Sequence, residues 1–321
     1  MPTLTLAGAH YETAPDETVL DALLRQGVPV ANSCRAGACQ SCLLRATSGA
    51  VPAVSQMGLK STLAEQGYFL SCVCRPEEDL ELTEAGGLEV RASITTLERL
   101  TATVVRARLS TATPLDYRPG QYITLRRQDG LARSYSLAGL PEDGTLELHI
   151  RRAPQGRMSG WLFDEATIST AVSIRGPAGD CFYTSGRSDQ PLLLAGTGTG
   201  LAPLIAICRD AIRQGHHGPI HLYHGALRPE GLYLQDELRA IATANPNLVY
   251  TPVVMDAAGS GIETGALDAV IARKHPKLTG WRAFVCGDPS IVKLLRKKLF
   301  LAGVASRDIF FDSFVEAAVP N

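Results

Sequence analysis

Cys34-Arg35-Ala36-Gly37-Ala38-Cys39-Gln40-Ser41-Cys42 sets three thiols at intervals of four and two residues in a loop of mostly small side chains. Gly37 and Ala38 let the backbone wrap closely and turn its N–H groups toward the sulfurs. Ser71-Cys72-Val73-Cys74 offers the distant fourth thiol twice over. Four thiolates converging on two irons is what this spacing serves, and it predicts a [2Fe–2S] cluster. Zinc sites pair two short cysteine hooks, and only Cys39/Cys42 has that shape here.

The remaining composition bounds the rest. A chain of 321 residues has room for two or three domains, and 45% hydrophobic content supports ordinary cores. No apolar run approaches the roughly 20 residues of a membrane helix, so a soluble protein with no membrane partner is expected. The net charge of −1 gives no reason to expect nucleic acid. Its distribution is uneven: residues 1–92 carry 6 Lys/Arg against 11 Asp/Glu, the remainder 25 against 21. An acidic module on a mildly basic body can dock internally or steer a partner. Eight cysteines without a secretory signal fit a reducing cytoplasm better than a disulfide framework.

Three segments follow from the patterning. The first opens with an alternating strand at Thr3–Ala7 and a helix from Thr18 to Gln26, with Asp16 as its expected cap and Gly27 as its stop. A change of composition at Thr83-Glu84-Ala85-Gly86-Gly87 marks a linker. Short strands at Thr101–Arg108, Gln121–Leu125, Ser134–Leu137 and Leu146–Arg152 then predict a small antiparallel barrel. From Gln190 apolar runs at Leu192–Ala195, Ile220–Tyr223, Val249–Val254 and Ala283–Cys286 alternate with helical stretches, the signature of a doubly wound parallel sheet. The expected domains are 1–91, 92–187 and 188–321.

Gly196-Thr197-Gly198-Thr199-Gly200-Leu201-Ala202-Pro203 lies between a strand and a helix, where a glycine turn admits a pyrophosphate to a helix N-terminus. Read as G-x-G-x-x-G it fails at Leu201, and no acidic residue stands at Tyr223 or His224. The run instead resembles the G-x-G-x-x-P pyridine-nucleotide loop of the ferredoxin–NADP⁺ reductase superfamily. Other motifs of that family follow suit: Pro119-Gly120-Gln121-Tyr122, Arg133-Ser134-Tyr135-Ser136, Gly156-Arg157-Met158-Ser159, Gly176-Pro177-Ala178-Gly179 and Cys286-Gly287-Asp288-Pro289. Together with a plant-type ferredoxin module the resemblance covers nearly the whole chain. It is similar to the reductase components of bacterial oxygenases, such as those of benzoate dioxygenase, toluene monooxygenase and methane monooxygenase.

The resemblance implies a β-grasp iron–sulfur domain, a flavin barrel and a nicotinamide domain. Cluster ligands would be Cys34, Cys39, Cys42 and Cys72, leaving Cys74 as a buried hydrophobe. FAD would be held by Arg133, Tyr135, Ser136, Ile150, Arg151, Gly156, Met158 and Ser159, with Phe314 covering the other flavin face and Phe311 in the core. NADH would meet Gly196, Thr197, Gly198, Thr199, Gly200, Pro203, Arg228, Cys286, Gly287, Asp288 and Pro289. Cys286, Tyr135 and Ser136 would be the catalytic set. Asp288 stands where the family has a proline after Gly287.

The order of modules implies electron flow from NADH through FAD and [2Fe–2S] to an oxygenase component. FAD is expected over FMN because the iron–sulfur module comes first. NADH is expected over NADPH because Arg228 stands alone where a 2′-phosphate would want a basic cluster. A sugar dehydrase or separate ferredoxin as acceptor, or a relay subunit without turnover, are the alternatives.

Overall fold

Thr18, not Asp16, starts the first helix, α1 (Val19–Arg25): its hydroxyl accepts from Asp21 N–H and donates to the Asp21 carboxylate at 2.7 Å. Asp16 sits two residues earlier in a left-handed turn (φ 58°), where its side chain cannot reach the helix amides. The computed structural model describes residues 2–30, 35, 37, 42–59, 61–84, 89–256 and 259–314. They fall into two compact units, Met1–Gly87 and Leu88–Asn321.

In the first unit α1 lies on a five-stranded sheet. Its strands are β1 (Thr3–Leu6), β2 (Ala9–Glu12), β3 (Leu43–Ser48), β4 (Tyr68–Leu70) and β5 (Leu80–Glu84), in the order β2-β1-β5-β3-β4. Only β1 and β5 run parallel. Alternation along β1 sends Leu4 and Leu6 inward to Val19, Ala22 and Leu23, which recur at helical spacing. A short helix α2 (Ser61–Glu65) precedes β4. This is the β-grasp arrangement expected of the first segment.

The second unit begins with strand β6 (Glu89–Arg99), which runs across the 91/92 boundary expected from sequence. β7 (Val104–Thr111), β8 (Tyr122–Arg126), β9 (Ala132–Ser136), β10 (Leu146–Arg151) and β11 (Ala171–Ala178) complete an antiparallel sheet ordered β10-β7-β6-β11-β8-β9. A bridge between Leu137 and Leu148 joins its two edges, so the sheet closes into a barrel. Leu109, Ile123, Leu125, Leu137 and Leu148 fill the interior, and α3 (Arg157–Asp164) plugs one end with Met158, Leu162 and Phe163.

The parallel sheet follows, ordered β15-β14-β13-β12-β16-β17. Its strands are β12 (Leu192–Thr197), β13 (Ile220–Ala226), β14 (Leu248–Val254), β15 (Glu263–Thr264), β16 (Arg282–Gly287) and β17 (Ile309–Ser313). Helices α4 (Leu201–Arg213), α5 (Gln235–Ala244), α6 (Leu267–Lys274) and α7 (Pro289–Leu301) connect them. Two buried clusters lie on opposite faces of the sheet, and one also takes Val104, Ala138, Cys181 and Tyr183 from the barrel region, so these two modules share a core.

Two measurements test this packing. Thr18→Ala should destabilise the first unit by about 1 kcal/mol in denaturant melts, with Thr18→Ser close to wild type. Burial pushes His221 down to about 4 and His224 to about 3, and lowers His216 and His275 too. Unfolded histidines protonate near pH 6.5, so between that pH and about 4 the unfolded chain binds more protons. Stability should therefore be full above pH 6.5 and fall as the solution is acidified. His221→Phe, set against His275 and Trp281, should make the fall in melting temperature shallower.

Candidate functional site

Two centres carry the chemistry-bearing residues, one in each unit. In the first, β4 ends at Leu70 and the chain turns through Ser71, Cys72 and Val73. The buried Ser71 clamps Cys42: its backbone N–H and its hydroxyl both donate to the Cys42 carbonyl, at 3.2 and 2.8 Å. Val19 N–H donates to Cys74 O and Leu20 N–H to Ser71 O, which ties α1 to the same turn. Cys42 and Cys72 consequently share one side-chain cluster with Leu20 and Leu70. Cys74 points into the main core, where burial pushes its thiol up to about 11. The Gly37 backbone lies over this turn, 3.5 Å from Val73 by the position a Cβ would take. Thiols on a tight turn approached by the Gly37 backbone fit an iron–sulfur cluster. Cys34 and Cys39 lie outside the described residues.

The second centre is the carboxyl edge of the parallel sheet, where β12 sits between β13 and β16 and the strand order reverses. Here three backbones meet. A Cβ on Gly200 would stand 2.3 Å from the Cys286 carbonyl oxygen, and one on Gly196 2.8 Å from the same atom. Gly287, at φ 120°, faces Thr197 O at 2.8 Å on the same measure. The turn Gly198–Gly200 thus runs against the end of β16 before entering α4, with no side chain capping the helix start. Thr199, Gly200 and Pro203 are buried, and Thr197 is half-buried. An uncapped glycine turn opening a thirteen-residue helix fits a pyrophosphate group. Arg228 is exposed after β13 and precedes the short turn Pro229–Gly231. Asp288 caps α7: its carboxylate accepts from Ser290 and Ile291 N–H at 2.8 and 3.3 Å, with Pro289 in the first helical position. The cap explains an aspartate here and holds its pKa below the usual carboxylate range.

Barrel residues reach this edge. Ser136, buried at the end of β9, donates to Asp312 Oδ2 at 2.6 Å. Asp312 is level with Cys286 across β16 and β17. Burial raises the Asp312 pKa, opposed by the Ser136 hydrogen bond. Cys286 Sγ lies 3.8 Å from Cys181 Sγ, and burial first, then this neighbour, push the Cys286 thiol far up. Phe314 N–H donates to Gly287 O at 2.8 Å, which brings the half-buried Phe314 to the same place. Phe311 packs with the core under the guanidinium of Arg296.

The other residues expected at the flavin belong to the barrel module. Tyr135 is half-buried against its core, and Arg133 is exposed, its guanidinium on Ala132 O at 2.7 Å. Arg151 is exposed at the end of β10, and its charge reaches Asp288. Ile150 and Met158 are core side chains, so only their backbones are available to a ligand. Ser159 Oγ accepts from Ala153 N–H and donates to Gly156 O, and a Cβ on Gly156 would strike it at 2.4 Å. Its hydroxyl therefore shapes the turn at the start of α3. The sequence reading missed Ser71, Cys181 and Asp312. The signal for Asp312 was a lone carboxylate inside the apolar run Phe310–Phe314.

Comparison with known proteins agrees in every segment. Residues 4–77 match the 2Fe-2S iron-sulfur cluster binding domain, 91–183 the oxidoreductase FAD-binding domain and 194–297 the oxidoreductase NAD-binding domain. The chain is 33% identical over 319 residues to the ferredoxin–NAD(P)⁺ reductase component of the naphthalene 1,2-dioxygenase/salicylate 5-hydroxylase systems of a Ralstonia species, covering 97% of each. It is 32% identical to the corresponding component of the naphthalene 1,2-dioxygenase system of Pseudomonas putida, over 94% of each. Among solved structures it resembles the cytochrome P450 reductase GcoB of Amycolatopsis, at 30% identity and a TM-score of 0.71, covering 99% of this chain and 100% of that one. Gly200→Val should abolish binding of NAD⁺, measured by equilibrium dialysis, while the purified protein keeps its flavin absorbance.

Proposed function

Because the chain belongs to the family of ferredoxin–NAD(P)⁺ reductase components, we propose that it draws electrons from NADH and delivers them to an oxygenase component. The observation that carries the reading is the meeting of Ser136, Asp312 and Cys286 at the sheet edge beside the Gly196–Pro203 turn. The cofactors supply the electron chemistry: FAD would take two electrons together and release them singly, and a [2Fe–2S] cluster would pass them on one at a time.

The chain's own residues bind and orient. The Gly198–Gly200 turn and the start of α4 would hold the dinucleotide phosphates. Cys286 and Gly287 would set the depth at which the nicotinamide lies, since Thr197 and Gly200 close the wall behind them. Tyr135 and Phe314 would bracket the flavin, with Arg133 and the start of α3 toward its phosphates. Ser136 donates its hydroxyl hydrogen bond to Asp312 Oδ2, at an edge where burial disfavours the carboxylate's charge. Cys34, Cys39, Cys42 and Cys72 would ligate the cluster, the Ser71 clamp holding the Cys42 and Cys72 segments together.

Several finer points belong to the same reading. The first compact unit is the iron–sulfur module, and the second holds flavin and nicotinamide modules that meet near 187/188. NADH over NADPH rests on Arg228 being the one basic residue from Ala226 to Gln235. The absence of any helix among the described residues long and apolar enough to cross a membrane is compatible with a cytoplasmic place. The relatives named for dioxygenase and hydroxylase systems favour an oxygenase over a sugar dehydrase as acceptor. A bare relay subunit has no use for the nucleotide turn and Cys286.

Two assays decide it. Cys39→Ser should abolish reduction of an acceptor protein such as cytochrome c yet leave NADH-driven ferricyanide reduction largely intact; equal loss of both would refute the order of centres. The ratio of kcat/KM values for NADH and NADPH should favour NADH by at least about tenfold, a difference near 1.4 kcal/mol.

A further inference from the structure

Beneath the Gly198 turn a line of buried polar rings crosses from the barrel to the parallel sheet. Glu147 and His149 lie two apart on β10 and so point to one side. His149 Nε2 is 3.0 Å from Glu147 Oε1, and Nδ1 is 3.1 Å from the hydroxyl of Tyr233, which follows β13 in the α/β module. Burial raises the Tyr233 pKa well above its ordinary value, so the phenol stays protonated. The Glu147 carboxylate can only accept, so Nε2 directs a proton at it. Glu147 is fit to receive it: against the cost of burial, His149, Arg108 and Arg106 hold its pKa at about 2.

The Tyr233 ring meets His149 edge-on at 5.3 Å on one side and His224 edge-on at 5.3 Å on the other. His224 is wholly buried on β13, level with Gly196, and Gly196 is level with Cys286. Both His224 ring nitrogens lack a hydrogen-bond partner among the described residues, while the Gly198 backbone lies close enough to favour a proton on the ring. Gly198 is the residue of the turn with left-handed backbone, φ 53°. A buried imidazole with unsatisfied nitrogens under that residue is costly unless a partner completes it.

We propose that His224 is the hydrogen-bonding floor of the pyridine-dinucleotide turn, and that Glu147 and His149 of the barrel orient it through Tyr233. His149 and Tyr233 are then positioning residues for the dinucleotide, acting through His224 on the set of the Gly198 turn. The arrangement also makes the hold on the dinucleotide depend on the barrel being seated against the parallel sheet. This rests on the reading of Gly196–Pro203 as the dinucleotide turn.

The test uses the full flavin-containing chain. Tyr233→Phe removes one hydroxyl and keeps the ring, and should raise the dissociation constant for NAD⁺, measured by equilibrium dialysis, about two- to tenfold, the worth of one hydrogen bond. KM for NADH should rise in parallel, with kcat moving much less. His149→Leu should have the same effect, and the double variant should be no weaker than either single one, because all three break one line. An unchanged dissociation constant in Tyr233→Phe, even with a lowered melting temperature, would overturn the proposal, as would losses that simply add. Gly200→Val separates the two readings. If it abolishes NAD⁺ binding while Tyr233→Phe does nothing, the relay alone is wrong; if it binds NAD⁺ normally, the dinucleotide turn itself is misassigned and the proposal falls with it.

Discussion

The second unit depends on the approach of two backbones at the carboxyl edge of its parallel sheet. Room for a single carbon at position 200 would have to be found within 2.3 Å of the Cys286 carbonyl oxygen. Only glycine lets the chain leaving β12 press against the end of β16 and turn at once into α4. That contact places the helix start, Cys286 and Gly287 at one point, and the neighbouring strand then brings Asp312 level with them. Loosening it would separate the thiol from the turn whatever the rest of the sheet did.

The barrel is held to this edge by burial more than by charge. Exposed pairs such as Arg213 with Glu142 are worth little in water. The shared cluster that takes Val104, Ala138, Cys181 and Tyr183 into the core of the parallel sheet is apolar and continuous, and each fully buried side chain of this size contributes about 1.5–3 kcal/mol. Polar contacts around it then set the register: Ser136 with Asp312, the bidentate Arg209 with Asp143, and Arg106 with Glu237. The hydrophobic surface decides that the two modules stay together. The hydrogen bonds decide which atoms face each other.

The sequence showed the periodic elements and concealed those whose letters serve two purposes. β12 and α4 were legible because apolar runs of the right length flank a glycine turn. β11 was not, because Gly176 and Pro177 punctuate it as a loop would, and in the structure they occupy a bulge where its pairing with β8 shifts between Arg175 and Ala178. β6 was hidden by charged residues at both ends of a strand that pairs on two sides. The cap of α1 was misplaced because Asp16 and Thr18 are equally good caps in one dimension; backbone conformation chose between them. Asp312 and Cys181 could not be found from spacing at all. Each becomes part of the site only when strands distant in sequence are laid side by side.

One residue type does opposite work in the two units, and burial is what separates the roles. Cys74, Cys208 and Cys286 lie in apolar surroundings that push their thiols up and keep them protonated. Cys42 and Cys72 lie at a turn where a serine hydroxyl and backbone amides organise the chain around them. A thiolate at Cys286, by contrast, would face Cys181 and the carboxyl of Asp312. At the sheet edge the protein offers a protonated thiol, a hydroxyl and a carboxyl whose charge burial disfavours and the Ser136 hydrogen bond favours. What the chain fixes there is distance and orientation: the strand register sets Asp312 level with Cys286, and the Ser136 hydrogen bond brings the barrel to the same point.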